Sequence, residues 1–149
     1  MNNIFEISDA VELFKEQLNS GGKVSFVPKG ISMKPMLSGR SKVVLEKPKG
    51  RLKKYDLPLF YYKKTNSYII HRVVGFAKDG TYITCGDNMI AKETDITHDD
   101  VIAVVIGFEK NGKNHSVKEL SYKIYCRYIG LVRALRRVYA KLRQCFVRK

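Results

Sequence analysis

The chain is poor in the residues that support a disulfide-linked, metal-bound or membrane-spanning protein. Its 149 residues include three cysteines, which lie far apart and form neither a CxxC pair nor a Cys/His zinc pattern. We therefore interpret Cys85, Cys126 and Cys145 as free thiols of a reducing compartment, and we expect no metal and no cofactor. The longest strongly apolar run, residues 101–108, is much shorter than the roughly 20 residues that a membrane-spanning helix needs.

The N-terminus lacks the basic start and the apolar run of a secretory signal peptide. With neither a signal peptide nor a spanning segment in the sequence, we expect a cytoplasmic protein that could lie peripherally at the inner face of the membrane. Tryptophan is absent, but 9 tyrosines and 7 phenylalanines supply apolar area for a core. A chain of this length fits one compact unit.

Acidic residues are half as frequent as basic ones. The chain has 14 Asp and Glu against 28 Lys and Arg, so its formal net charge is +14. A charge of this size favours an anionic partner, such as a membrane surface, a nucleic acid or an acidic peptide.

Three segments differ in their hydrophobic pattern. Residues 1–22 contain a predicted helix over 7–20, which ends at Gly21-Gly22, and residues 120–149 predict a second helix. Residues 23–119 instead show the short apolar runs, alternation and turn signals of a mostly β, α+β fold, either a barrel or a sandwich. Strands are predicted over 23–26, 42–46, 57–62, 67–76, 81–85, 101–109 and 115–117, and the strand over 101–109 is expected to be buried on both faces.

The C-terminal segment combines helical apolar spacing with an excess of cations. It holds nine Lys or Arg residues and no acid. Such a basic amphipathic helix can lie in the headgroup interface of an anionic membrane, or it can pack on the domain with a solvated basic face. Nucleic acid is the weaker option, since no helix-turn-helix or RNA-binding aromatic platform accompanies the helix.

A Gly-opened turn presents one serine. Gly30 allows a sharp bend two residues before Ser32, and Pro35 prevents the turn from continuing as an unstrained helix. A serine in such a turn can expose its Oγ while nearby backbone N–H groups point into the same space, which is what nucleophilic attack on an acyl carbon requires. Taken alone, the pattern is also that of an ordinary turn.

A nucleophilic serine needs a base, and His71 is the best candidate. An imidazole is neutral and competent near pH 7, whereas a lysine must first be desolvated. His71 lies in an apolar strand before Arg72, and the turn Gly86-Asp87-Asn88 comes after the next predicted strand. Lys34 and Lys42 are expected to be solvated surface charges.

These stretches together resemble a family of serine peptidases. "GISMKPML", "YIIHRVVGF" and "YITCGDN" resemble the Ser-Met box, the base-bearing strand and the Gly-Asp-Asn box of the superfamily of signal peptidase I and the self-cleaving LexA-type repressors. The resemblance covers roughly residues 23–109. Histidine as the base is similar to the endoplasmic-reticulum branch, although this chain has no spanning anchor of its own. The resemblance implies the β fold of that superfamily.

The resemblance also implies roles for the acids. Asp87 of the Gly-Asp-Asn box would pair with Arg72 as structural support. The histidine branch carries an orienting Asp six residues after the Asp of the box, and this chain has Glu93 there, with Asp95 close by. Which of Glu93, Asp95 and Asp87 orients His71 stays open at this point.

Two further positions follow from the same comparison. Many signal peptidases carry a hydroxyl side chain two residues before the nucleophile, but this chain has Gly30 there, so its oxyanion hole would depend on backbone N–H groups. Met33 resembles a residue that lines the substrate groove, and a methionine is equally suited to filling a core.

The sequence thus predicts a serine endopeptidase that acts on a leader, signal or self-cleavage peptide through a pair formed by Ser32 and His71. The alternative is a catalytically silent β module that binds anionic membrane or nucleic acid through residues 120–149.

Overall fold

The computed structural model describes residues 7–147, and the side chains of residues 10–145. A helix at each end, α1 (Ile7–Asn19) and α2 (Leu120–Val147), flanks nine strands. The mostly β, α+β class predicted from the sequence is therefore confirmed. The strands are β1 (Val24–Phe26), β2 (Val43–Glu46), β3 (Pro58–Tyr62), β4 (Ser67–Ile70), β5 (Arg72–Phe76), β6 (Tyr82–Cys85), β7 (Glu93–Ile96), β8 (Val101–Lys110) and β9 (Lys113–Ser116).

The strands form two antiparallel sheets. The larger sheet has the order β1-β2-β8-β3-β4, with β9 paired to the end of β8, and the smaller sheet has the order β5-β6-β7. Register shifts interrupt β8 where it pairs with β2 and with β3. Such bulges increase strand twist, which fits the curled, half-barrel shape of this sheet.

The long central strand β8 is buried mainly on one face. Ala103, Val105 and Phe108 are buried, while the residues between them are only partly covered. The prediction of burial on both faces was therefore wrong. Apolar runs are typical of doubly covered strands, but here the second face is only half covered.

The predicted strand 67–76 is in fact two strands in different sheets. β4 pairs with β3, whereas β5 pairs with β6, and His71 is the residue between them. The apolar pattern of "YIIHRVVGF" does not show the change because side chains on both strands are covered. The break places the histidine where the two sheets meet.

The two sheets share a small core of their own. Phe60 of β3 packs with Val73, Tyr82 and Ile96 of the smaller sheet, and Leu52 completes the cluster. Strand β7, which supplies Ile96, was not predicted, because three of the four residues 93–96 are polar and the segment lacks a strand pattern. The larger core lies under α1 and the start of α2.

Helix α2 is attached by its first half. Tyr122, Cys126 and Ile129 are buried, and Arg133 is buried one turn later. No helix in residues 7–147 is long and apolar enough to cross a membrane.

Replacing Leu45 of β2 by alanine tests the larger core. Leu45 is fully buried, so Leu45→Ala should lower the free energy of unfolding by about 2–5 kcal/mol. Leu13 of α1 is 67% exposed, and Leu13→Ala is the matched control, with a change within about 0.5 kcal/mol. Urea denaturation measures both, and equal losses would contradict the assigned core.

Candidate active site

The serine turn is closed by its own backbone. The N–H of Lys34 donates to the carbonyl of Ile31 at 3.1 Å, and the N–H of Leu37 donates to that of Met33 at 2.9 Å. Gly30 precedes the turn with φ of +105°, a conformation that strains any other residue. The bend before Ser32 therefore disfavours any side chain at residue 30.

Two backbone N–H groups at Ser32 have no hydrogen-bond acceptor within residues 7–147. Among the residues that the structure describes, none accepts a hydrogen bond from the N–H of Ser32 or of Met33. An oxyanion hole is formed by unpaired donors of this kind next to the attacking hydroxyl. The Met33 side chain is buried in the larger core and also forms part of the cleft wall.

His71 lies against a buried carboxylate. The Nδ1 atom of its ring is 3.0 Å from Oε2 of Glu93, and both side chains are about nine-tenths buried or more. The hydroxyl of Thr84 donates to the same Oε2 at 2.8 Å, which fixes the carboxylate between β6 and β7. A carboxylate on Nδ1 favours the tautomer that carries its proton there, so Nε2 is left as an acceptor.

The contact between His71 and Glu93 is close but not aligned. Their atoms are at hydrogen-bond distance, yet the direction of the Nδ1–H bond does not meet the oxygen, and Nδ1 has no hydrogen-bond partner by angle. Catalytic hydrogen bonds are often poorly aligned in free enzymes and tighten with substrate.

Gly86 is the point at which the serine turn and the histidine ring meet. A Cβ atom at this residue would lie 2.7 Å from the carbonyl oxygen of Ser32 and 3.1 Å from Nε2 of His71. Asn88, two residues later, donates its N–H to that carbonyl oxygen at 2.8 Å. The Gly-Asp-Asn turn therefore holds Ser32 and His71 beside one another.

Ser32 and His71 line one cleft of about 230 Å³. Its walls are formed by residues 28–30, 32, 33, 37, 38, 68–71 and 89. No hydrogen bond joins Ser32 Oγ to His71 within the described part of the chain. The structure thus brings the two residues to the same cleft without a formed proton-sharing contact.

The other acids considered for His71 lie elsewhere. Asp95 is exposed and pairs with Lys64 at 2.6 Å, which lowers the pKa of its carboxyl. Asp87 is fully buried and forms an ion pair with Arg72. The structure therefore leaves Glu93 as the acid beside His71.

Arg72 and Asp87 form a buried, two-pronged ion pair. Nε and Nη2 of Arg72 donate to Oδ1 and Oδ2 of Asp87 at 2.8 and 2.7 Å, and neither side chain is exposed. Burial alone would lower the pKa of Arg72, but the hydrogen bonds and charge of Asp87 outweigh it and raise that pKa. The Arg72 guanidinium therefore stays protonated.

Helix α2 completes this network. Tyr125 donates its hydroxyl to Asp87 at 2.9 Å, Arg133 donates to the same carboxylate at 3.2 Å, and Arg72 donates to the hydroxyl of Tyr122 at 2.8 Å. Sequence reasoning missed these three helix residues. Their helical spacing was visible, but nothing in the sequence pairs them with a residue 38 or more positions away.

Comparisons with protein-family models, curated proteins and solved structures found no match to this chain. The assignment of a function therefore depends on the geometry of the cleft.

Adding a methyl group at residue 86 tests the junction of the turn and the ring. Gly86→Ala would force the Ser32 carbonyl and the His71 ring apart, and we expect a loss of about 1–3 kcal/mol in unfolding free energy. Gly39→Ala is the matched control in the same region, because a methyl group added there would have no atom within 4 Å. Urea denaturation of the two variants measures the loss. An unchanged unfolding free energy in Gly86→Ala would contradict the contact.

Neutralising Asp87 tests the buried pair. Asp87→Asn leaves the Arg72 charge buried without a counter-charge, so the protein should lose about 3–5 kcal/mol of stability. Asp95→Asn removes an exposed ion pair and should cause no measurable change. If both variants unfold at the same urea concentration as the parent protein, the network does not support the fold.

Proposed function

We propose that this chain is a serine endopeptidase of the signal peptidase I and LexA-like type. In this proposal Ser32 is the nucleophile, His71 the general base, and Glu93 the acid that orients the imidazole. The buried ion pair of Arg72 and Asp87 holds the site in place. The backbone N–H groups of Ser32 and Met33 would stabilise the oxyanion.

The reaction has two steps. Oγ of Ser32 attacks the scissile carbonyl carbon while its proton passes to Nε2 of His71, and the carbonyl oxygen gains negative charge. The C–N bond then breaks, and His71 returns the proton to the leaving amine. A water molecule then attacks the acyl carbon while His71 takes its proton, and His71 returns that proton to Oγ of Ser32 as the acyl C–O bond breaks.

The observation that supports this proposal most is the position of the His71 ring. It has a carboxylate 3.0 Å from one nitrogen, and its other nitrogen faces Gly86 beside the serine turn. His71 and Ser32 also line the same cleft. Lys29, at the cleft, and Lys34 are exposed, so neither is desolvated as a lysine base must be.

The cleft also suggests how substrate binds. β1 and β4 are the edges of the larger sheet, and the residues that follow β1 and those of β4 form opposite parts of the cleft wall. An extended peptide could add to an exposed strand edge, which provides backbone hydrogen bonds next to Ser32. A cleft of about 230 Å³ with Met33, Leu37 and Ile70 in its wall suits a small apolar side chain before the cut.

A catalytically silent module is the second candidate. The missing hydrogen bond between Ser32 and His71, and the lack of a side-chain donor at Gly30, favour it. In that case the fold would serve only to present helix α2 to an anionic surface. The two candidates make opposite predictions for the chemistry of Ser32.

Covalent labelling with a serine-reactive acylating probe distinguishes the candidates. We expect one label per chain on Ser32, none in Ser32→Ala, and labelling about 10²- to 10⁴-fold slower in His71→Gln. Ser38→Ala is the matched control, because Ser38 lines the same cleft and should keep the parent rate. Intact mass and peptide mapping give the site.

The pH dependence of the same rate identifies the base. An imidazole loses its proton at lower pH than a lysine ammonium, so labelling that reaches its full rate below the alkaline range supports His71 as the base. The peptidase proposal would be contradicted if labelling persisted in Ser32→Ala. It would also be contradicted if the labelling rate of His71→Gln equalled that of the parent protein.

A further inference from the structure

One face of helix α2 exposes a continuous apolar stripe. Most neighbouring members are three or four residues apart, and Val138 and Tyr139 are adjacent, so all of them lie on one side of the helix. Each is more than half exposed, which is unusual for large apolar side chains along five turns of one helix. The stripe consists of Ile124, Tyr128, Leu131, Leu135, Val138, Tyr139 and Leu142.

This stripe is not the face by which the helix packs on the domain. Tyr122, Cys126, Ile129 and Arg133 form the buried face. The helix therefore has two faces with apolar side chains. One of them packs on the domain. The second face is open along residues 124–142.

Beside the stripe lies a basic cavity of about 520 Å³ between α2 and the strands of the domain. Five cations contribute to its wall, and no Asp or Glu residue does. Leu131 belongs both to the cavity wall and to the stripe, so the charged and apolar surfaces are continuous. The five cations are Lys54, Lys92, Arg127, Arg133 and Arg137.

Two guanidinium nitrogens in this wall have no hydrogen-bond partner among the described residues. They are Nε of Arg133 and Nη2 of Arg137, and both are buried. Arg133 is 5% exposed, and its Nη2 donates to Asp87 at 3.2 Å, so only part of its donor capacity is used. Buried unpaired donors are costly, and an oxygen-rich anion in the cavity would pair them.

We propose that this face docks the protein on an anionic phospholipid surface, with the phosphate of one headgroup in the basic cavity and the apolar stripe in the acyl boundary. Charge complementarity selects this occupant, because residues 120–149 carry nine cations and no acid. Aliphatic side chains such as Leu135 and Val138 fit a lipid interface. A nucleic acid would instead use polar or stacking groups between the cations.

The docking is independent of the peptidase proposal. The docking face involves α2 and the cavity wall, and it includes none of Ser32, His71 and Glu93. Vesicle binding can therefore be measured on the full chain carrying Ser32→Ala, and failure of one proposal leaves the other standing.

Co-sedimentation with phosphatidylcholine vesicles, with and without phosphatidylglycerol, tests the docking. We expect binding only to the anionic vesicles. Leu135→Glu should weaken it about tenfold or more, since the stripe loses apolar area and gains a repelled charge. Leu13→Glu is the matched control, because Leu13 of α1 is 67% exposed and Leu135 is 69% exposed.

The cavity is tested by a second matched pair on the same helix. Arg137→Gln should weaken binding about fivefold. Arg143→Gln makes the same charge change outside the cavity wall and should have a smaller effect. Thermal melting of each variant in buffer should match that of the parent, which shows that the fold is kept.

The proposal is overturned by any of three results. One is absence of binding to the anionic vesicles. This result overturns the docking even if inorganic phosphate alone raises the melting temperature of the protein. The second is equal losses in Arg137→Gln and Arg143→Gln, which would mean general electrostatics without a headgroup site. The third is tighter binding to a DNA duplex than to anionic vesicles at the same ionic strength.

Discussion

The buried ion pair between Arg72 and Asp87 is the interaction on which the arrangement of this molecule depends. Two charges without exposure to water are tolerated only when nearly every donor and acceptor is paired. Here the pairing comes from the smaller sheet, the Gly-Asp-Asn turn and helix α2 together. Removing any of these elements would leave a charge without its partners.

The pair also connects the two functional faces proposed for the protein. Arg72 directly follows His71, and Asp87 directly precedes Asn88, which holds the carbonyl of Ser32. On its other side, Asp87 accepts hydrogen bonds from Tyr125 and Arg133 of α2. The cleft and the docking helix are thus fixed to one rigid centre, and a lipid-bound helix would hold the cleft at a constant orientation to the membrane.

Local sequence patterns were sufficient for the fold class, both helices and most strands, because these depend on residues close in the chain. The resemblance paired Arg72 with Asp87 and left the acid for His71 open. In the structure Arg72 lies on Asp87, and Glu93 lies beside His71. What the sequence did not show depends on contacts distant in the chain. The change of sheet at His71, the strand at 93–96 and the hydrogen bonds from Tyr122, Tyr125 and Arg133 all belong to this group.

The central claim is that Glu93 holds the imidazole of His71 with its proton on Nδ1, so that Nε2 can accept the proton of Ser32. The nitrogen-15 NMR shifts of the two ring nitrogens, measured near neutral pH in the parent protein and in Glu93→Gln, test it most directly. We predict a protonated Nδ1 and a bare Nε2 in the parent, with loss of that preference in Glu93→Gln. A proton on Nε2 in the parent protein would contradict the account.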